Sequence, residues 1–291
     1  MMRKKPMLAH KVGGFERITD EDWDNGLYVQ PKLDGVRCLI QAEQIPTNSA
    51  EMYEIKAYSR TGKEWKNIDH ILKELISFFA KYPNVILDGE LYNHDLRNDF
   101  EKIISLVRKT KPTDEDRLEA SKKTQFHCYD IIDENMSFED RYNFITKNLS
   151  KSYCVKHVQT MNCPDEACAN YVHGANLDIG YEGSIVRTND TYHCNRSHNL
   201  RKFKDFHDAE ALLCEWVEGK GKRIGTIGKF MAIDEHGVIF GMPVMDKFKY
   251  LQENFEEMKT WVGLPATFTY FEKTKAGSYR HPLFKAIRNY E

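Results

Sequence analysis

Residues 30–37 read QPKLDGVR, and their side chains offer an amine, a carboxylate and a guanidinium at short fixed spacings. Lys32 supplies the amine, Asp34 the carboxylate and Arg37 the permanent cation. A lysine with an ordinary pKa near 10.4 is neutral in roughly one molecule in a few thousand at pH 7. Neighbouring cations or Mg²⁺ disfavour its charged form, which makes the amine available as a nucleophile. The same residues also have a purely structural reading. Asp34-Gly35 suits a type I′ turn, and Lys32 and Arg37 would then lie on the solvated strands of a hairpin.

Further along the chain, other strand ends carry side chains that packing does not require. Arg60 lies in YSRTGKEW, Glu90 in LDGELY, Tyr129-Asp130 in FHCYDII, Glu182 in YEGSIVR, and Lys202 and Lys204 in NLRKFKDF. Singly, each reads as a turn or a solvent face. Together they have a chemical logic. Arg37, Arg60, Lys202 and Lys204 can neutralise phosphates, while Asp34, Glu90 and Glu182 can hold Mg²⁺ (or Mn²⁺) or a ribose hydroxyl. Tyr129 offers a flat face to a base. Lys202 and Lys204 alternate along a strand and point to the same side.

These side chains need elements to position them. The chain has 291 residues, 41% apolar and 30% charged, enough for a full core in one large or two smaller domains. Residues 85–92, 125–132 and 182–188 are β-rich. Between them, NIDHILKELISFFAKYP predicts one helix with Ile68, Ile71, Leu72, Leu75, Ile76 and Phe79 on its apolar stripe, ended by Pro83. Phe100, Ile103, Ile104 and Val107 form a second stripe, and Phe138, Tyr142, Ile145 and Leu149 a third, capped by Ser137. From about residue 206 the pattern changes to strands, with a hairpin turning at His236-Gly237 and one helix over 246–261. The expected fold is α+β: antiparallel sheets and helices over 1–205, then a small closed OB-fold β-barrel over 206–291.

Composition narrows the function classes. The formal charge is −2 and the pI about 6.6, so nucleic acid must be met by local patches rather than by a global basic field. One such patch is EGKGKRIGTIGK at 218–229, with Lys220, Lys222, Arg223 and Lys229 among glycines. No run of 18 apolar residues is present, so no transmembrane helix is expected, and the basic start lacks a signal-peptide core. Seven scattered cysteines suit reduced thiols in a cytoplasm. CPDEAC at 163–168, near Cys154, His157 and His173, keeps a zinc site as an alternative.

Order and spacing resemble the covalent nucleotidyltransferase superfamily, and within it the compact ATP-dependent DNA ligases of phage and viral type. KLDGVR resembles the Lys-x-Asp-Gly-x-Arg motif, and SRTG, LDGELY, FHCYDII, YEGSIVR and KFK follow in the family's order. PMLA at 6–9 resembles the ligase opening and RHPLFKAIR at 280–288 the terminal motif of the OB domain. Where family members often continue with an acidic-x-basic end, this chain reads NYE, so Arg280 and Arg288 are the candidates to press on pyrophosphate.

The resemblance implies an adenylylation domain followed by an OB domain, working on ATP with Mg²⁺ and on nicked duplex DNA. It implies that Lys32 carries AMP, that Glu90 meets the ribose, Tyr129 stacks on adenine and Glu182 holds the metal. Gln30 and Pro31 would border the adenine edge, Arg37 the ribose or 3′ end, and Arg60 the 5′-phosphate of the nick. Lys220, Lys222 and Arg223 would grip DNA. The implied protein is a cytoplasmic monomer that clamps DNA, with no membrane partner and no DNA-binding domain ahead of the catalytic one. A GTP-using mRNA capping enzyme, an RNA ligase and a non-catalytic OB-type nucleic-acid binder remain as alternatives.

Overall fold

In a computed structural model, residues 4–10, 18–45, 52–204, 207–270, 272–273 and 277–288 are described. The chain divides into two compact units, Met1–Lys204 and Asp205–Glu291. Asp205, Phe206 and the terminal NYE lie outside the described residues.

The strands of the first unit are β1 (Leu8–His10), β2 (Leu27–Pro31), β3 (Val36–Ile45), β4 (Met52–Tyr58), β5 (Ile86–Tyr92), β6 (Gln125–Ile131), β7 (Val155–His157), β8 (Met161–Cys163), β9 (Ser184–Thr188) and β10 (Arg196–Phe203). They form two five-stranded sheets, β1-β10-β9-β2-β8 and β4-β3-β5-β6-β7. The period-2 pattern explains the second sheet's inner face. Leu87 and Leu91 of β5, and Phe126 and Cys128 of β6, are fully buried and pack with Ile68, Ile71, Phe79 and Ile145. Burying each large aliphatic or aromatic side chain contributes roughly 1.5–3 kcal/mol.

The helix expected over 67–83 is two, Asp69–Glu74 and Ile76–Lys81. At Leu75 the N–H bonds to Leu72 O at 3.2 Å, a three-residue step that overwinds the turn. That rotation carries Ile76 out to 58% exposure and brings Phe78 into the core in its place. Of the other two stripes, Ile103, Val107, Phe138, Ile145 and Leu149 are buried while Phe100, Ile104 and Tyr142 are half-buried, and Ser137 Oγ accepts from Asp140 N at 3.2 Å.

Asp34-Gly35 does not make a hairpin. β2 pairs with β8 and β9, whereas β3 pairs with β4 and β5, so residues 32–35 cross from one sheet to the other. Gly35 is needed for closeness rather than for a positive φ. A Cβ there would lie 2.4 Å from Leu91 O in the neighbouring sheet.

The second unit contains β11 (His207–Glu218), β12 (Ile227–Ile233), β13 (Ile239–Pro243), β14 (Pro265–Tyr270), β15 (Glu272–Lys273), β16 (Tyr279–Arg280) and β17 (Leu283–Ile287). Five of them form an antiparallel sheet in the order β13-β12-β11-β14-β17 around Leu213, Phe230, Met242 and Phe268. The barrel is partly open. Among the described residues its edge strands β13 and β17, five residues each, ladder with one neighbour apiece. Asp234 holds the β12–β13 turn by accepting from His236 N at 3.0 Å and Val238 N at 2.8 Å. The helix expected over 246–261 breaks at Asn254, whose Nδ2 turns back to Tyr250 O at 2.7 Å. No described helix is long and apolar enough to cross a membrane.

Candidate active site

Backbone pairing beyond the ends of β2 and β9 sets the site. Lys32 N donates to Gly183 O at 2.9 Å, and Glu182 N donates to Lys32 O at 3.2 Å. The KLDG and YEGS segments therefore run side by side, although 150 residues separate Lys32 from Glu182. Gly183 has φ +137°, and a Cβ on it would lie 2.3 Å from Phe203 O. Only glycine lets this strand approach β10 so closely. As a result the Glu182 carboxylate lies between two ammonium groups, with Lys32 Nζ on Oε2 and Lys204 Nζ on Oε1.

A cavity of about 230 Å³ opens here, lined by Gln30, Pro31, Lys32, Arg37, Arg60, Glu90, Tyr129 and Lys202. Eight residues singled out from the sequence, drawn from segments up to 172 positions apart in the numbering, meet at one opening. Ile185, Arg187, Arg196 and Leu200 complete much of its wall. The Tyr129 hydroxyl donates to Glu90 Oε2 at 3.4 Å, and the guanidiniums of Arg37 and Arg187 lie over its ring at 5.2 and 5.5 Å.

Glu90 has its pKa pushed up to about 8. Burial is the main cause. Arg37 opposes it, Asp88 adds to it, the Tyr129 bond opposes it and Asp34 adds again.

Beneath the cavity lie two fully buried carboxylates, Asp88, which sequence reasoning missed, and Asp130, which it noted without a role. Asp88 accepts from Arg37 Nε at 2.6 Å, from Arg37 Nη2 and from Tyr192 OH at 2.6 Å. Asp130 accepts from Arg141 Nε and from Arg187 Nη1, both at 2.7 Å. Arg187 Nε then donates to Gln30 Oε1 at 2.8 Å, while Gln30 Nε2 donates to Thr160 Oγ1 at 2.8 Å and Tyr129 O at 3.2 Å. Two expectations change accordingly. The Gln30 amide is committed to internal partners at 2% exposure, and the Nε and Nη2 of Arg37 are committed to Asp88. Both are drawn down by buried charges that need partners more than a solvated surface does. One signal for this network was present in the sequence. Arg141 falls on the apolar stripe of Phe138, Tyr142 and Ile145, where a cation must find a buried anion.

Asp34, Glu90 and Glu182 were expected together as metal ligands. Among the described residues no three acidic, histidine or cysteine side chains converge to hold a metal. Glu182 is held by lysines, and Glu90 favours its neutral form. The same holds around CPDEAC: His157 bonds to Leu149 O at 3.1 Å and His173 to Ser184 Oγ at 3.0 Å. A single carboxylate nonetheless suits Mg²⁺, which usually keeps one or two protein carboxylates and takes its remaining oxygens from substrate phosphates and water. Glu182, among lysines fit for phosphates, meets that requirement.

In the second unit, Lys220 and Lys222 are exposed on a loop that contains the short helix Gly221–Arg223. Arg223 is half-buried and donates to Asp246 O at 3.4 Å. Arg280 lies on β16 opposite Glu272, and Arg288 forms an ion pair with Glu210.

A two-sheet unit with a lysine at its cavity mouth, joined to an OB-type barrel, has the architecture of a nucleotidyltransferase. Residues 6–204 match the family described as the ATP dependent DNA ligase domain, and the chain belongs to that family. It is 31% identical over 235 residues to a DNA ligase of African swine fever virus, covering 76% of this chain and 52% of that protein. A second isolate's DNA ligase is 31% identical over 223 residues, covering 73% and 48%. The chain thus spans about half the length of the curated relatives it matches. Its fold is shared with a Lig E DNA ligase structure, with TM-score 0.73, 23% identity and coverage of 99% and 100% of the two chains. The Chlorella virus DNA ligase-adenylate follows with TM-score 0.50, 22% identity and coverage of 98% and 99%.

Proposed function

We propose that this protein is an ATP-dependent DNA ligase that seals nicks in duplex DNA through a lysyl-AMP and a DNA-adenylate. The observation that carries the reading is the meeting of Lys32, Glu90, Tyr129 and Lys202 at one cavity, with Lys32 tied to Lys204 through Glu182, in a unit that matches the family over 6–204.

The chemistry follows in three balanced steps. Lys32 Nζ leaves Glu182, loses its proton to solvent and attacks the α-phosphorus of ATP. A P–N bond forms as the bond to pyrophosphate breaks. An oxygen of the 5′-phosphate at the nick then takes the AMP from Lys32, breaking that P–N bond. Finally the 3′-hydroxyl, giving its proton to solvent, attacks the activated 5′-phosphorus; the new P–O bond forms as the anhydride bond breaks and AMP departs. Tyr129 stacks on the base. Glu90, neutral at pH 7, both donates to and accepts from the ribose hydroxyls. Lys202 and Lys204 offset charge on the phosphates as the transition state develops. Arg60 meets the 5′-phosphate, Pro31 borders the base, Gln30 braces Tyr129 through the tyrosine's backbone carbonyl, and Arg37 steadies the Tyr129 ring. Glu182, with the nucleotide phosphates, is the residue to hold Mg²⁺, which supplies charge neutralisation at the reacting phosphorus. Arg280 and Arg288 serve the ATP step, and Lys220, Lys222 and Arg223 grip duplex phosphates. The protein acts as a monomer clamped on its substrate.

Labelled ATP and GTP, each with Mg²⁺, test this directly. ATP should label the protein, with AMP mapped by mass spectrometry to Lys32 and no label in Lys32→Ala. Labelling from GTP alone, or AMP on another lysine, would overturn the proposal.

A further inference from the structure

A second cavity, about 630 Å³, adjoins the nucleotide cavity and shares Arg37 and Arg60 with it. Two segments far apart in sequence build it: the turn Ser59–Trp65 that follows β4, and the C-terminal end of the helix Phe100–Val107. Four exposed cations line it, namely Arg60, Lys63, Arg108 and Lys109. Arg60, Lys63 and Arg108 have no carboxylate partner among the described residues. Lys109 bonds to Asp116 at 2.5 Å, and the one acidic wall residue, Glu64, faces Lys66 at 3.4 Å. The floor is apolar, with Trp65 at 9% exposure and Ile104 beside it. Trp65 Nε1 donates to Arg37 O at 3.3 Å, which ties this floor to a residue lining the nucleotide cavity.

Like charges gathered in a concavity repel one another, and an apolar floor gives them no compensation. A polyanion whose uncharged faces are sugars supplies both missing complements: phosphates for the rim and deoxyribose for the floor. The sharing of Arg60 gives a direction, from the reacting centre outward. We propose that the cavity between the Ser59–Trp65 turn and the end of helix Phe100–Val107 is a backbone site for the DNA strand next to the nick, with Arg108 and Lys109 each taking one phosphate. The proposal deepens the ligase reading and rests on it.

Nick affinity against salt concentration, measured for the full chain and for Arg108→Ala/Lys109→Ala, is the test. Each phosphate neutralised adds about 0.9 to the logarithmic salt slope, so the double variant should lose up to about 1.8, with most of the change from Arg108 because Lys109 must first leave Asp116. Its ATP KM and rate of self-adenylylation should match the parent. An unchanged slope overturns the proposal, and so does a raised ATP KM, which would assign these cations to the nucleotide's phosphates. Substrates with one neutral methylphosphonate near the nick give a second readout that survives poor folding of the double variant. At one or two linkages they should weaken the parent but not Arg108→Gln, whereas equal weakening of both proteins at every linkage overturns the site. The ligase reading fails separately, if the parent takes no AMP on Lys32.

Discussion

Glu90 is the residue whose surroundings predict a measurable pH dependence. Its carboxyl rests at about 8 in the folded chain, against 4.5 for a solvated glutamate. Between those values the folded form binds a proton that the unfolded form has lost, so raising pH through this window favours unfolding. Glu90→Gln cannot titrate and resembles the neutral acid in shape. The variant should match the parent near pH 4.5 and gain on it steadily up to about pH 8, with no further gain above. Urea midpoints across that range would show it, and parallel profiles for the two proteins would contradict it. Other residues were less legible. The motif pattern pointed to Glu90, yet it did not indicate that Asp88, two residues earlier on the same face of the strand, anchors Arg37. A buried carboxylate in a strand looks like any solvated one until its partner is known.

Among the elements, the 218–229 loop carries a prediction of its own. Gly219 N bonds to Thr226 O at 2.9 Å and Gly225 N to Glu218 Oε1 at 2.8 Å, so the backbone closes on itself while Lys220 and Lys222 project. The loop contains no Asn or Gln suited to bidentate base reading. Neutralising Lys220, Lys222 and Arg223 together should weaken nick binding about equally across sequences. The salt slope should flatten by up to about 2.7, with most of the change from the two lysines because Arg223 is partly held by Asp246. Self-adenylylation should persist. An unchanged salt slope would place the DNA grip elsewhere. Local sequence served well for elements with one clear period, such as helix Phe138–Asn148. It served less well where a single tightened turn, as at Leu75, rotates everything beyond it.

For the whole molecule, the division of labour between the two units is the open quantity. Each has a core of its own, and the C-terminal motif RHPLFKAIR belongs to the second. If Arg280 and Arg288 act on the nucleotide, Arg280→Ala and Arg288→Ala should slow self-adenylylation at least tenfold and leave sealing of pre-adenylylated nicks nearly intact. Equal losses in both assays would instead give these arginines a structural or DNA-binding role. Arg288 needs one control, because its ion pair with Glu210 is lost as well. Glu210→Ala should leave both assays near parental rates if that pair is only a resting contact.

By itself the sequence indicated the buried face of segments with one clear period, such as helix Phe138–Asn148, and the order of the reactive motifs. Burial leaves a period of 2.0 or 3.6 in the chain, and that record is local. Tertiary structure alone decided that KLDG is a crossover between sheets, since the turn chemistry of Asp34-Gly35 is equally good for a hairpin. It also decided that Lys32 meets Glu182 and Lys204, and that Asp88 and Asp130 gather three arginines beneath them. Those outcomes depend on which strand pairs with which. Strand pairing is set by packing of the whole unit, because backbone hydrogen bonds are alike at every residue and cannot name their partner.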